Sequence, residues 1–231
     1  MQPIFVLVHS PSMGPSTWYP VADLMAAAGH RVWVPSLVRV GEGGPPFWPR
    51  VVDAVRDSLW QLPAAGPVTL VAHSNAGLFL PAIGAGLDQP VAGSIFVDAA
   101  LPPREGASPA VPPEKLEHLR SLAVDGTLPR WTDWWDEEQL APMFPDASVR
   151  RTVVEDQPTL PLSYFEQEIP VPDGWEDHPC SFLRFSPAYD GLADQARERG
   201  WPVAHLPGTH LHQIVDPEGT ARHLVDLAAT A

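Results

Sequence analysis

Short apolar runs alternate along this chain with longer stretches in which apolar residues recur at helical spacing. Apolar runs without polar alternation are typical of strands buried on both faces, as in parallel sheets. The predicted strands are Ile4–Val8, Arg31–Val34, Val68–Ala72, Gly93–Asp98, Ser181–Phe185 and Pro202–Leu206. The predicted helices are Trp18–Ala28, Phe47–Leu62, a segment opening at Ala76, Leu192–Arg199 and Pro217–Ala229. This order predicts an α/β fold, with a mainly parallel sheet of about six strands and helices on both faces.

The alternation of strands and helices is interrupted over residues 101–179. This stretch is rich in proline and contains one clear amphipathic segment, Glu114–Val124. We therefore predict a core domain made of residues 1–100 and 180–231, with residues 101–179 forming a helical lid inserted after the fourth strand.

Three tryptophans within the predicted lid, Trp131, Trp134 and Trp135, follow the i, i+3, i+4 spacing of one helix face. Side chains at this spacing form either the lid's own core or the wall of an apolar substrate pocket. Both interpretations stay open. The acidic residues that follow these tryptophans are interpreted as a solvated face.

Composition narrows the classes of partner. The chain has 231 residues, and 28 Asp and Glu against 14 Lys and Arg give a formal charge of −14. Such a charge argues against nucleic acid or an anionic membrane surface as a partner. The N-terminal apolar run is short and has no basic leader, and the single cysteine, Cys180, excludes an internal disulfide. We therefore expect a cytoplasmic protein without a signal peptide or a membrane span.

The third predicted strand ends in a turn of small residues, Ala72-His-Ser-Asn-Ala-Gly77, with Ser74 at its tip. A strand, a sharp turn and a helix together are the setting of a nucleophile elbow, in which a strained serine is raised above the sheet. The segment is a variant of Gly-x-Ser-x-Gly with alanine at both glycine positions. Helix capping by Ser74 is the simpler alternative.

Several further segments make the chain resemble the α/β-hydrolases, and more narrowly their compact methylesterase and hydroxynitrile lyase branch. The resemblance covers nearly the full length. The segments that carry it are Val6-Leu-Val-His-Ser10, Trp18, Ala28-Gly-His30, Ala72-His-Ser-Asn-Ala-Gly77, Gly208-Thr-His210 and Asp216-Pro217. The lid resembles no family.

The resemblance implies that Ser74 is the nucleophile and His210 its general base. A serine hydroxyl is a poor nucleophile until a base within hydrogen-bond reach removes its proton. His212 competes with His210, but the spacing from His210 to Pro217 matches the family and favours His210. His205, inside the last predicted strand, is interpreted as packed or structural.

The third member of the triad should be a carboxylate that orients the histidine. Asp190 follows the fifth core strand, where most of the family keeps this acid, but helix capping also explains it. Asp98 ends the strand beside the elbow strand, the position that some relatives use. We favour Asp98 and keep Asp190 as the alternative.

The predicted oxyanion hole departs from the family. One donor is the backbone N–H of Asn75, and the other normally comes from the position that Pro11 occupies. Proline has no N–H to donate. Either the Ser12 N–H, or the hydroxyl of Ser10 or Ser12, substitutes for it, or the site works with one main-chain donor.

The resemblance favours a serine hydrolase that cleaves an ester, thioester or lactone of a small apolar molecule. One alternative is a lyase, isomerase or cyclase that uses Ser74 and His210 for proton transfer, and another is a ligand-binding, receptor-like protein. No cofactor or metal is expected, because the glycines near position 42 lack a following lysine and the family context already explains His210. The sequence indicates neither the natural substrate nor the oligomeric state.

Overall fold

A computed structural model describes residues 3–60 and 66–230 of the chain. The strands, in chain order, are β1 (Ile4–Val8), β2 (Val32–Trp33), β3 (Val68–His73), β4 (Val91–Val97), β5 (Gly106–Pro109), β6 (Glu168–Val171), β7 (Cys180–Arg184) and β8 (Val203–His205). Six of them form a sheet in the order β2-β1-β3-β4-β7-β8, and every pair in it is parallel. The predicted α/β class and the sheet of about six strands are confirmed.

Helices cover both faces of this sheet. They are α1 (Tyr19–Ala27), α2 (Trp48–Leu59), α3 (Leu80–Gly86), α4 (Pro113–Leu122), α5 (Glu137–Leu140), α6 (Ala147–Asp156), α7 (Asp190–Glu198), α8 (His212–Val215) and α9 (Pro217–Ala229). Helices α1 and α9 pack on one face, and α2, α3 and α7 pack on the other. Among the described residues, no helix is both long enough and apolar enough to cross a membrane. The predicted end of the second helix, at Leu62, lies outside the described residues.

The helix after the elbow strand begins differently from the prediction. Residues Ser74–Phe79 form a tighter 3₁₀ turn, and the α-helix starts only at Leu80. Pro81 explains the difference, because it has no N–H to bond the carbonyl of Gly77 four residues earlier. The Leu80 N–H, three residues after Gly77, bonds that carbonyl instead.

The insertion between β4 and β7 contains the three helices α4 to α6 and also an antiparallel pair, β5 with β6. The sequence did not predict this pair, because Pro109 and Pro170 lie within it and prolines usually mark strand ends. Tyr164, just before β6, is fully buried and its ring lies 5.7 Å from that of Phe47 and 6.2 Å from that of Phe79. The insertion is therefore anchored in the same core as the sheet.

A cluster of charged and aromatic side chains joins the two ends of the insertion. Arg104, near its start, pairs with Glu176, near its end. Arg199, at the end of α7, lies 3.6 Å from the same Glu176 carboxylate and donates a 2.9 Å bond to the Pro102 carbonyl. Trp175 donates a 3.0 Å bond from Nε1 to the Pro103 carbonyl. We call these contacts the clasp.

Candidate active site

Ser74 occupies the left-handed turn that ends β3, with φ of 60°. Its carbonyl accepts a 3.0 Å bond from the Ala100 N–H, which ties the turn to the chain beyond β4. Gly77 makes this approach possible, because a Cβ there would lie 2.2 Å from the Ala100 carbonyl oxygen. Non-glycine residues adopt positive φ rarely and at a cost of about 1–3 kcal/mol. The surrounding packing holds Ser74 in this conformation, with its side chain partly exposed.

The structure brings Ser74, His210 and Asp98 together in one line. His210 Nε2 lies 3.0 Å from Ser74 Oγ, and His210 Nδ1 lies 3.0 Å from Asp98 Oδ2. The three side chains come from the ends of β3 and β4 and from the loop after β8, which meet at the carboxyl edge of the sheet. This edge is where ligands bind in open α/β sheets.

Asp98 is fully buried and has φ of 42°. Its Oδ1 accepts bonds from the backbone N–H groups of Phe185 and Ser186, at 2.7 and 3.1 Å. Its Oδ2 accepts a 2.6 Å bond from the Ser186 hydroxyl in addition to the contact with His210. A carboxylate with this many donors is held in one orientation and favours a proton on His210 Nδ1.

The structure gives the alternative residues other partners. Asp190, in the first turn of α7, has a side chain that is 58% exposed and pairs with Arg184. His205 also contacts Arg184, on the exposed edge strand β8, so it is not the packed residue that the sequence suggested. His212 packs edge-on against Phe185, with ring centroids 5.6 Å apart.

His73, next to Ser74 in sequence, also contacts His210. Its Nε2 donates a 2.8 Å bond to the His210 carbonyl, and the two rings lie 4.5 Å apart. Burial, together with the nearby His210, holds the pKa of His73 well below its ordinary value, so the ring is neutral. Sequence analysis did not single out His73, because a histidine that precedes an elbow serine gives no signal of its partner.

The predicted oxyanion loop forms a tight turn in which the Met13 N–H donates a 2.8 Å bond to the Ser10 carbonyl. Pro11 and Ser12 occupy its corners, and the side chains of Ser10 and Ser12 are buried. His9 supports this turn, since its Nδ1 donates to the Ser10 carbonyl at 2.9 Å. Its Nε2 accepts a 2.9 Å bond from the Leu37 N–H.

Asn75, the residue after Ser74, is held by the insertion. Its amide group donates a 2.7 Å bond to the Ala110 carbonyl, just after β5. The Tyr164 hydroxyl donates to its side-chain oxygen at 3.4 Å. The segment that carries the expected oxyanion N–H is therefore connected to residues 106–171 by side-chain hydrogen bonds.

The three tryptophans of the insertion have different surroundings. Trp131 is buried, and its ring lies 6.1 Å from that of His210. Trp134 donates from Nε1 to the Pro129 carbonyl and packs 6.0 Å from Phe165, within the insertion. Trp135 is 38% exposed and contacts Trp131. Only Trp131 of the three is placed beside the catalytic candidates.

The buried His9 predicts how the stability of the protein depends on pH. Burial lowers the pKa of His9 from 6.5 to about 4, because the charged ring would lose its hydration. The unfolded chain takes up this proton near pH 6.5, whereas the folded protein does so only near pH 4. The contribution of His9 is therefore complete above pH 6.5 and is lost as the pH falls to about 4. At about 1.4 kcal/mol per pKa unit, the loss is roughly 3 kcal/mol.

Urea unfolding between pH 8 and pH 4 measures the total loss, to which the buried His73 also contributes, and an NMR titration of the His9 ring, with a midpoint near pH 4, identifies the share of His9. His118→Gln, at an exposed position on α4, is a matched control that should keep the wild-type pH dependence. A midpoint for His9 near 6.5 would contradict the prediction.

Within residues 3–60 and 66–230, no group of three or more His, Cys, Asp or Glu side chains is arranged to hold a metal ion.

The chain belongs to the α/β-hydrolase family, because residues 5–223 match the model of that family. No curated protein matches the sequence significantly.

Solved structures with the same fold cover nearly the whole chain at low identity. An extracellular α/β-hydrolase from a Paenibacillus species, described as homologous to tobacco salicylic acid binding protein 2, is 17% identical, with a TM-score of 0.75 over 98% of this chain and 99% of its own. A pyrethroid hydrolase from Sphingobium faniae is 21% identical, with a TM-score of 0.72 over 98% and 97%. Methylketone synthase I of tomato, solved with β-ketoheptanoate, is 15% identical, with a TM-score of 0.76 over 100% and 99%.

Proposed function

We propose that this protein is a serine hydrolase that cleaves an ester, thioester or lactone of a small apolar molecule. The observation that carries the proposal is the continuous line of contacts from Ser74 Oγ through His210 to the buried carboxylate of Asp98. Membership of the α/β-hydrolase family supports it, as does the presence of esterases and hydrolases among proteins of the same fold.

In the proposed reaction His210 Nε2 takes the proton of Ser74 Oγ as this oxygen attacks the substrate carbonyl. Asp98 keeps the other proton on His210 Nδ1 and stabilises the imidazolium that forms. The proton then passes from His210 Nε2 to the departing oxygen or sulfur, which leaves an acyl group on Ser74. A water molecule, activated by the same histidine, releases the acid and restores the serine.

The negative charge on the carbonyl oxygen needs hydrogen-bond donors. We propose the Asn75 N–H as one donor and the Ser12 N–H, or the hydroxyl of Ser10 or Ser12, as the second. The bonds from Asn75 to the insertion support a fixed position for the first donor. Preorganised donors of this kind account for roughly 10²–10³-fold in rate each.

We propose that residues 101–179 serve as the lid of this site. Some of their side chains form a hydrophobic cluster with residues next to the site. This cluster joins Trp131, Leu140 and Phe144 of the insertion to Met13, beside Ser12, and to Leu211, beside His210. Trp131 supplies an apolar surface beside His210. A small apolar acyl group fits this environment better than a charged one.

Proton transfer without an acyl-enzyme is the second candidate, and Pro11 is the observation that favours it. A site with one main-chain oxyanion donor fewer stabilises a tetrahedral intermediate less. Methylketone synthase I, a synthase by name, has the same fold at 15% identity.

Labelling with a small fluorophosphonate separates the two candidates. We expect one phosphonyl group on the wild-type protein by intact mass, no adduct on Ser74→Ala, and a strongly slowed reaction in His210→Ala. Ser58→Ala, on α2, is the matched control and should be labelled like the wild type. A folded wild-type protein that acquires no adduct would contradict the hydrolase proposal and favour proton transfer.

A further inference from the structure

Tyr189 lies directly against the proposed catalytic pair. Its ring is parallel to the His210 ring, with an angle of 5° between the planes and 5.0 Å between the centroids. Its side chain also interacts with that of Ser74, whose Oγ is 3.0 Å from His210 Nε2. The Ser74 side chain thus lies beside both the His210 imidazole and the Tyr189 phenol.

Tyr189 lies in a loop that contributes no acid to the proposed triad. It directly precedes α7 in the loop after β7, where most of the family that the sequence resembles keeps its triad acid. Here the acid position is filled from the end of β4 by Asp98, whose Oδ2 is 3.0 Å from His210 Nδ1. The loop after β7 therefore presents an aromatic hydroxyl to the site in place of a carboxylate.

We propose that the Tyr189 hydroxyl donates a hydrogen bond to the leaving-group oxygen while that oxygen departs from the tetrahedral intermediate. The leaving oxygen must come within reach of His210 Nε2 to receive its proton, and Tyr189 covers the face of that same ring. A group in this place stabilises negative charge that builds on the leaving oxygen as its bond to the carbonyl carbon breaks.

The proton balance of the step is simple. The C–O bond of the tetrahedral intermediate breaks, and its electron pair stays on the leaving oxygen. That oxygen takes the proton from His210 Nε2, whereas Tyr189 keeps its own proton and contributes only the hydrogen bond. Burial raises the pKa of Tyr189, which favours the protonated, donating form.

Two substitutions distinguish the contribution of the Tyr189 hydroxyl from that of its ring. Tyr189→Phe removes the hydroxyl and keeps the ring against His210, whereas Tyr189→Leu removes both. The substrates are four butyrate esters whose leaving groups grow more basic in the order p-nitrophenol, phenol, trifluoroethanol and ethanol. kcat/KM covers the steps from free enzyme and ester through departure of the leaving group and excludes deacylation. Because the acyl group is constant, the leaving group is the one part of the ester that varies.

We expect Tyr189→Phe to lose little kcat/KM on the p-nitrophenyl ester and progressively more along the series, reaching roughly 10- to 100-fold for the most basic leaving group that is turned over. Tyr189→Leu should lower the rates of all four esters and also slow fluorophosphonate labelling, because His210 loses the ring that covers it. A loss in Tyr189→Phe that is equal across the series, or absent throughout, would overturn the assignment, because a merely structural role does not depend on the leaving group.

The inference depends on the proposed hydrolase function, but the two fail in different ways. A wild-type protein that neither reacts with the fluorophosphonate nor cleaves any of the esters would overturn both. A wild-type protein that is labelled and active, together with a uniform loss in Tyr189→Phe, would overturn only the role of Tyr189.

Discussion

Asp98→Asn should lower kcat by about 10⁴-fold and leave the fold intact. The asparagine oxygen would accept the bonds from the N–H groups of Phe185 and Ser186 that now reach Oδ1. Its amide group would then replace Oδ2 and donate to His210 Nδ1. This forces the His210 proton onto Nε2, which faces Ser74, so the histidine loses the lone pair that must accept the serine proton.

The rate measurement uses p-nitrophenyl butyrate, with circular dichroism and thermal unfolding to establish that the variant is folded. Asp190→Asn is the matched control, since this exposed carboxylate pairs with Arg184 at the surface and should keep kcat within about twofold of the wild type. A large loss in Asp190→Asn with little change in Asp98→Asn would reverse the assignment of the acid.

Ser74→Ala and His210→Ala should each lower kcat by about 10⁴- to 10⁶-fold, and the double variant should be no slower than the worse single variant. The reason is that the two side chains act in one step. A serine without its base is not deprotonated, and a base without the serine has no nucleophile to activate. When two residues act in one step, the losses in kcat caused by removing each of them do not multiply in the double variant.

Turnover of p-nitrophenyl butyrate by the three variants measures this coupling. His212→Ala is the control, since His212 is only two residues from His210 but packs against Phe185, and its loss should be less than about tenfold. Losses that multiply in the double variant would contradict a shared step and argue for independent roles.

Much of this molecule follows from local sequence patterns. The apolar runs gave the six strands of the sheet, because strands buried on both faces leave a continuous hydrophobic pattern. Ser74 is predicted from the small residues around a turn. The structure shows why residue 77 must be small, because a Cβ there would come too close to the Ala100 carbonyl. His210 and Asp98 were proposed from a family resemblance, and the structure brings their side chains together.

The sequence does not predict contacts between residues that are far apart in the chain. No sequence pattern indicates a functional role for Tyr189, because that role depends on its contact with the His210 ring. The bond from His73 to the His210 carbonyl and the bond from Asn75 to the Ala110 carbonyl have the same origin. Side chains of this kind become functional candidates only when the fold supplies their neighbours.

The clasp has a consequence for how this chain tolerates changes in the length of the insertion. Arg104, Glu176 and Arg199 hold both ends of the insertion at one point beside α7. When the ends of a segment are fixed together, lengthening it changes the free energy of unfolding only slowly, by about 0.6 kcal/mol for each doubling. The segment between the ends can therefore change in length at little cost in stability, as long as the bonds from Asn75 to Ala110 and Tyr164 are kept.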